Sequence, residues 1–250
     1  MQHSALALTN RGPALWLIWT LCLSATLLWD ASPFDRWVMQ ALASPTGFEW
    51  MHHSLLEEWL HTRFRQVSLC LWAALWCLAL WPKGPWQRPQ TERLLLVGLI
   101  TLNVITINLL KQWSATSCPW DVGLWGGYAN YVSHWNWDHG DGGPGHCFPG
   151  GHVVSALGFA PLVVAAWWPV NARETGDRQA LFYTAIVIAG TLLAGGTQTL
   201  RGAHYPSHTA WSAVICFGLA LAGWSAWHHH ARQLATSRGR TSPTQTNVQG

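Results

Sequence analysis

Six stretches of the chain carry apolar runs of about the length, roughly 17–25 residues, that crosses a hydrocarbon core as a helix. They are residues 12–29, 62–81, 94–110, 153–168, 181–199 and 209–227. Asp, Glu, Lys and Arg fall almost entirely between them, as expected where one such residue at a helix centre costs about 2.5–3.5 kcal/mol to insert. The pattern predicts an all-α fold: a polytopic membrane protein built as a bundle of six transmembrane helices. A large soluble bundle is the alternative, and six charge-poor runs separated by polar loops argue against it. Between the first two runs, DRWVMQAL (35–42) and FEWMHHSLLEEWLHTRF (48–64) are amphipathic or rich in Trp and His, which predicts short helices lying in the interface.

These boundaries divide the chain into an N-terminal segment (1–11), one membrane domain (12–227) and a tail (228–250) whose end, SRGRTSPTQTNVQG, is too poor in apolar residues to order itself. No small-residue cleavage site follows the first run, so it reads as a retained helix rather than a signal peptide. Composition agrees: half of the 250 residues are apolar and a tenth are charged, against about a quarter in soluble domains. Twenty Trp hold the mean hydropathy to a mildly positive value, because indole scores as slightly polar although it favours the membrane boundary. The net charge of +3 is small and scattered, which excludes nucleic acid as a partner class.

Orientation follows from Lys and Arg. With the N-terminus cytoplasmic, the inner segments hold nine of them (Arg11, Lys83, Arg88, Arg93, Arg173, Arg178, Arg232, Arg238, Arg240). The outer segments then hold five: Arg36, Arg63, Arg65, Lys111 and Arg201. That asymmetry places both termini in the cytoplasm and turns the connections 30–61, 111–152 and 200–208 outward.

Those outer connections carry three polar clusters at helix ends. The first is Lys111 followed by Cys118-Pro119-Trp120-Asp121, the second runs from Cys147 to His152 (CFPGGH), and the third from Gln198 to His208 (QTLRGAHYPSH). Packed as a bundle, the helices bring all three to one level. Together they supply two fixed cations, Lys111 and Arg201, three histidines, His152, His204 and His208, and a Gly150-Gly151 turn at a helix start. Cations give charge-assisted bonds to phosphate oxygens, a glycine turn lets backbone approach an anion, and histidine serves as nucleophile or proton donor at neutral pH. Taken singly, Lys111 reads as a snorkelling helix-end lysine, Arg201 as an interfacial anchor and each histidine as structural. Their conjunction carries the reading.

The clusters resemble the type 2 phosphatidic acid phosphatase superfamily, whose signature reads K-x6-R-P, then P-S-G-H, then S-R-x5-H-x3-D. Lys111-x6-Cys118-Pro119 matches the first part with cysteine for arginine. Pro149-Gly150-Gly151-His152 matches the second with glycine for serine. His204-x3-His208 matches the third with histidine for aspartate, Gln198 standing at the arginine position and an arginine appearing at Arg201. The resemblance covers roughly residues 94–227 and implies a metal-independent phosphoric monoester hydrolase with no cofactor. His204 is then the nucleophile, forming a phosphohistidine, and His152 the acid that protonates the leaving oxygen. Lys111, Arg201, Gln198 and the Gly150-Gly151 backbone hold the phosphate, and His208 orients His204. A rival assignment makes His208 the nucleophile. The implied setting is a bacterial inner membrane with its active site on the periplasmic face. The implied substrate is a phospholipid, isoprenoid or lipid A phosphate or pyrophosphate.

Alternative functions are a lipid-to-lipid phosphotransferase and a non-catalytic membrane protein or transporter whose loop binds metal. Of six cysteines, Cys22, Cys70, Cys77 and Cys216 lie in apolar runs and read as packing. Cys118 and Cys147 share one outer loop, where a disulfide would tie Lys111's segment to His152's. The loop between them (121–146) reads as a lid over the substrate or a plain structural loop. Its rival reading is a metal site from His134, Asp138, His139, Asp141 and His146. His52, His53 and His61 read as interfacial filler, and His228, His229 and His230 as the polar end of the last helix, with metal binding the alternative for each group.

Overall fold

The computed structural model describes residues 10–136, 140–170 and 176–240, with side chains to 234. Among the described residues the regular structure is almost all helix. Helix α1 spans Gly12–Asp30, α2 Phe34–Leu42, α3 Phe64–Leu80, α4 Gln90–Trp113 and α5 Val154–Leu157. The order continues with α6 at Ala160–Trp167, α7 at Asp177–Leu200 and α8 at Pro206–Arg240. Among the described residues, four helices (α1, α4, α7 and α8) are long and apolar enough to cross a membrane.

The two remaining apolar runs take other forms. Run 62–81 becomes the 17-residue α3, prolonged backwards by a π-helix over Leu55–Arg63. Run 153–168 is split, because Pro161 has no N–H to bond the Leu157 carbonyl and its ring crowds that turn, so α5 stops at Leu157 and α6 restarts at Ala160. The expected six uninterrupted helices are therefore four plus these two. α2 sits where the first amphipathic stretch was read. A short hairpin, Ala43–Ser44 paired with Gly47–Phe48, lies between α2 and the π-helix and was not expected. α8 continues to Arg240, past residue 227; Ala231, Gln233 and Leu234 are good helix formers and no Pro interrupts them before that point. Residues 1–9 and 241–250, with Arg173, lie outside the described residues.

α8 is the central element, packed along α1, α4 and α6. Leu15, Leu96, Val164, Ala220, Leu221 and Trp224 form the buried core at its far half. Nearer the site, Ile107, Val153, Val154, Leu157, Ala194 and Cys216 form a second core. Outward faces of α1, α3 and α7 stay apolar, with Leu17, Leu21, Leu28, Val67, Leu71, Phe182, Ile186 and Leu192 all exposed. Such a belt around a closed backbone ladder suits lipid as the surrounding solvent.

The two ends of the bundle differ. At one, Arg11 pairs with Asp177 at 2.8 Å, while Arg93 donates to the Leu78 and Trp81 carbonyls at 2.9 Å each, satisfying orphan acceptors at the end of α3. Arg88 and Glu92 pair there at 3.1 Å, both buried. The other end gathers the last turn of α4, the end of α7 and the start of α8, and all three polar clusters with them.

Candidate active site

Backbone hydrogen bonds tie the three clusters to one another. His146 N–H donates to Ser114 O (2.8 Å) and Cys147 N–H to Thr116 O (2.9 Å), laying the second cluster beside the chain leaving α4. Trp120 N–H donates to Gly202 O at 2.9 Å, joining first to third, and Gly150 N–H donates to His208 O at 3.0 Å, joining second to third. Gly202 allows this junction: its φ is +72°, and a Cβ there would lie 2.3 Å from the Phe48 ring. A disulfide between Cys118 and Cys147 (Cα–Cα 5.2 Å) adds the covalent tie.

The clusters close one wall of a cavity of about 330 Å³. Lys111, Gly151, His152, Gln198 and His204 line it from the family-like motifs. The facing wall comes from earlier chain: His61 in the π-helix, then Arg65, Ser68, Leu69 and Trp72, one face of α3 at i, i+3, i+4, i+7 spacing. On α4 the lining descends from Lys111 through Asn108 and Val104 to Thr101 and Ile100, a drop of about 16 Å at 1.5 Å per residue. No carboxylate lies among the lining residues.

His204 and His208 are separated by this arrangement. His204 lines the cavity and His208 does not. The two Nδ1 atoms lie 3.4 Å apart, and His204 Nδ1 is also 3.3 Å from Cys147 Sγ, which leaves His204 Nε2 for the cavity. His208 is wholly enclosed by Phe148, Tyr205 and His134 rings, and its Nε2 has no partner. Burial, then the charges of Lys111 and His152, hold the His204 pKa down at about 3, so its imidazole is neutral at physiological pH.

His152 Nε2 lies 3.2 Å from the Leu60 carbonyl. A carbonyl only accepts, so Nε2 carries the proton and Nδ1 the lone pair. The ring stacks on His61 at 4.2 Å. Burial, then the neighbouring His61, lower the His152 pKa to about 4. Burial, then Arg201 and Arg65, lower that of His61 as well.

The expected phosphate ligands divide. Lys111, Gly151 and Gln198 line the cavity, and the Gln198 side-chain nitrogen is buried without a partner, an amide donor left free for a ligand. Gly150 does not line it, and its N–H is spent on His208 O; the expectation that this group faces phosphate is corrected. Arg201 is also not among the lining residues. Its Nε donates to Met51 O at 2.9 Å, its Nη2 pairs with Glu57 at 3.4 Å and the guanidinium covers Trp120, so it anchors the segment 49–63 that carries Leu60 and His61. From sequence His61 was read only as interfacial filler, and Arg65 and Asn108 were not singled out as site residues, although one face of a helix through His61, Arg65 and Leu69 gives the register that joins the first two to the cavity.

The described residues of the 121–146 loop are held by side-chain hydrogen bonds at two points. Asp141 accepts from Ser117 N–H (2.6 Å), Ser117 Oγ (2.7 Å) and Gly143 N–H (3.0 Å), and His134 Nε2 lies 3.1 Å from Asp30. Both are thereby engaged away from each other's use as metal ligands; Asp138 and His139 lie outside the described residues. Cys118, Cys147 and His204 do bring ligand atoms within 4.8 Å of one another. With the sulfurs bonded to each other, neither is the thiolate a metal needs.

A helical membrane protein that gathers Lys, Gln and two neutral histidines in a cavity free of carboxylates has the makings of a phosphoryl-transfer site. The chain belongs to the PAP2 superfamily, whose family model matches residues 92–232, the region from the first turn of α4 to the far half of α8. No curated protein and no solved structure matches the chain. The superfamily membership supports phosphatase-type activity. The cavity wall built from His61, Arg65 and α3 lies outside the matched region.

Proposed function

We propose that this protein is a membrane phosphatase that hydrolyses a lipid phosphate or pyrophosphate at the periplasmic face of a bacterial inner membrane, through a phosphohistidine on His204. One observation carries the reading. A single cavity holds His204, His152, Lys111 and Gln198 at its upper end and an apolar stripe of Leu69, Trp72, Ile100, Val104 and Phe159 below, which suits a phosphate head on an acyl or prenyl chain.

His204 Nδ1–H donates to His208 Nδ1, which leaves the Nε2 lone pair free to attack phosphorus. The N–P bond forms as the bond from phosphorus to the leaving oxygen breaks. Lys111 and the free Gln198 amide hold the non-bridging oxygens, where fixed donors stabilise the charge of the transition state. His152 Nδ1 hands a proton to the leaving oxygen and then takes one from the water that cleaves the phosphohistidine. That first proton arrives with the substrate: His152 is unprotonated in the free site, while a phosphate monoester near its second pKa of about 6 still carries one. His208, having a neutral ring where the superfamily has a carboxylate, orients His204 but does little to stabilise its cationic form.

The test is phosphate release from a panel of lipid phosphates in detergent, with His204→Ala, His208→Ala and His152→Ala beside the unmodified chain. Activity should vanish in the first and survive at a reduced level in the second. Full activity of His204→Ala overturns the mechanism, and loss confined to His208→Ala moves the nucleophile. Chelator should leave turnover intact, since no carboxylate lines the cavity. Turnover that requires a second lipid alcohol would mark transfer in place of hydrolysis.

A further inference from the structure

The disulfide between Cys118 and Cys147 lies against the reacting group. Cys147 Sγ is 3.3 Å from His204 Nδ1, and the two sulfurs and a His204 ring nitrogen all lie within 4.8 Å of one another. The sulfurs differ in access: Cys147 is fully buried, whereas Cys118 lines the cavity. Phosphoryl transfer through His204 gives neither of them a part.

The cross-link is not alone in holding these three residues together. Cys147 N–H donates to Thr116 O at 2.9 Å, Trp120 N–H to Gly202 O at 2.9 Å and Gly150 N–H to His208 O at 3.0 Å, and Gly145 N–H donates to Ser117 Oγ at 3.0 Å. None of these bonds runs through a sulfur. Cys147 Sγ also lies 3.0 Å from the Ala203 carbonyl, an acceptor that a thiol can satisfy and a disulfide sulfur cannot. Opening the disulfide thus leaves two thiols and an imidazole side by side. Tetrahedral zinc, with Zn–S about 2.3 Å and Zn–N about 2.0–2.1 Å, sets sulfur and nitrogen about 3.6 Å apart and two sulfurs about 3.8 Å apart. The present 3.3 Å is close to the first distance, and rotation of Cys118 toward the cavity supplies the second.

We infer that Cys118, Cys147 and His204 form a thiolate–imidazole site for Zn²⁺, or a similarly thiophilic divalent cation, once the disulfide is reduced, and that the bound metal switches the nucleophile off. The site stands on this geometry; its effect on turnover rests on the phosphatase reading above. The reductant is a dithiol. One of its thiolates attacks Cys118 Sγ, the accessible sulfur, and the S–S bond breaks with Cys147 leaving as thiolate. The second thiolate then attacks the reductant's own sulfur in the mixed disulfide, Cys118 leaves, and the reductant departs as a cyclic disulfide. Two electrons and two protons pass to the protein. Zinc then binds both sulfurs as thiolates together with His204 Nδ1, and the two protons are released.

The tautomer of His204 carries the consequence. Attack on phosphorus needs the proton on Nδ1, donated to His208, and a bare Nε2. A metal on Nδ1 reverses this, because a neutral ring then holds its proton on Nε2, the atom that faces the cavity. Thiolate with imidazole selects zinc over magnesium or calcium, and no carboxylate lines the cavity to favour the harder ions. Oxidation removes both thiolates, and a single imidazole does not retain the ion. Turnover is thereby tied to an oxidising compartment, where such disulfides persist.

The test uses the full chain in detergent, oxidised or reduced with a phosphine that is then removed without air. Zinc content, the spectrum with Co²⁺ as a probe, unfolding temperature and phosphate release from the best substrate of the panel above are measured on each. The oxidised chain keeps the thiols of Cys22, Cys70, Cys77 and Cys216, so the difference between the two forms reports the pair. Reduced chain should take up one zinc more than oxidised chain, show sulfur-to-cobalt charge-transfer bands, and unfold at a higher temperature with zinc than without. Zinc should abolish most of its phosphate release, and chelator should restore it. In reduced His204→Ala the zinc should bind at least about tenfold more weakly, and Cys118→Ser with Cys147→Ser should lose the extra zinc. Equal zinc uptake by the two forms, or undiminished affinity in His204→Ala, overturns the site. So does a reduced chain that unfolds and is not restored by zinc. Extra zinc bound with phosphate release unchanged overturns the switch. No release from the oxidised chain, with the extra zinc still bound on reduction, overturns the phosphatase reading and leaves the site standing.

Discussion

Arg201 offers a sharp division between holding substrate and holding structure. The guanidinium donates to the Met51 carbonyl at 2.9 Å, a charged hydrogen bond worth about 1.5–3 kcal/mol. Glu57, 47 % exposed, adds under about 1 kcal/mol, and the contact over Trp120 about 0.5–1 kcal/mol. Removing them in Arg201→Ala weakens the docking of residues 49–63 by about 3 kcal/mol, near 10²-fold at 1.4 kcal/mol per decade. That segment carries the Leu60 carbonyl that fixes the His152 ring, so kcat falls as the segment opens. Hydrogen exchange over 49–63 should then rise by about that factor, while inhibition by inorganic phosphate changes by less than about threefold. Glu57→Gln should do little. An inhibition constant for phosphate that rises about 10²-fold in Arg201→Ala, with exchange over 49–63 unchanged, would show that Arg201 grips the phosphate and refute the tether.

Other expectations follow from the same geometry. For a monophosphate substrate, kcat/KM should be flat between about pH 4, where His152 gains a proton, and about pH 6, where the substrate loses one, then fall tenfold per unit; a rise above pH 7 contradicts the proton's origin. Because folded His152 and His204 have pKa values below the ordinary 6.5, the unfolded chain binds protons first, so the unfolding temperature should drop as pH falls below about 6.5. Denatured without reductant, the protein should show four reactive thiols, Cys22, Cys70, Cys77 and Cys216, and six after reduction. Replacing Cys118 and Cys147 with serine should lower stability by about 3–4 kcal/mol for a loop of 29 residues, and slow turnover by freeing His204's neighbour. Gly150→Ser, which restores the superfamily's serine, should destabilise by about 1–3 kcal/mol, since a Cβ there lies 3.2 Å from the His208 carbonyl; a more active or more stable variant would show that the pocket tolerates it.

The spans and the motif cluster were legible because each is written locally. Apolar runs of spanning length announce α1, α4, α7 and α8, and short strings around Lys111, His152 and His204 announce the site. The break between α5 and α6 was also written, in Pro161, but an unbroken apolar run hides it. What escaped depends on partners far along the chain. Arg201 reads as a phosphate ligand until Met51 and Glu57 are seen 150 and 144 positions earlier against it. The Gly150 N–H reads as free until the His208 carbonyl takes it. Arg65 lies 46 residues before Lys111, and only the packing of α3 on α4 places both in one cavity. The tie between Cys118 and Cys147 was readable as a possibility from their shared loop, whereas its position against His204 Nδ1 was not.

The most direct measurement traps the intermediate. The chain is mixed with lipid phosphate labelled on the terminal phosphorus, quenched in base within the first turnovers, and the labelled peptide mapped. An acid-labile, base-stable phosphate on His204 that is absent from His204→Ala is the predicted result. Phosphate on His208, or steady release of phosphate with no label on any histidine, would contradict a mechanism through His204.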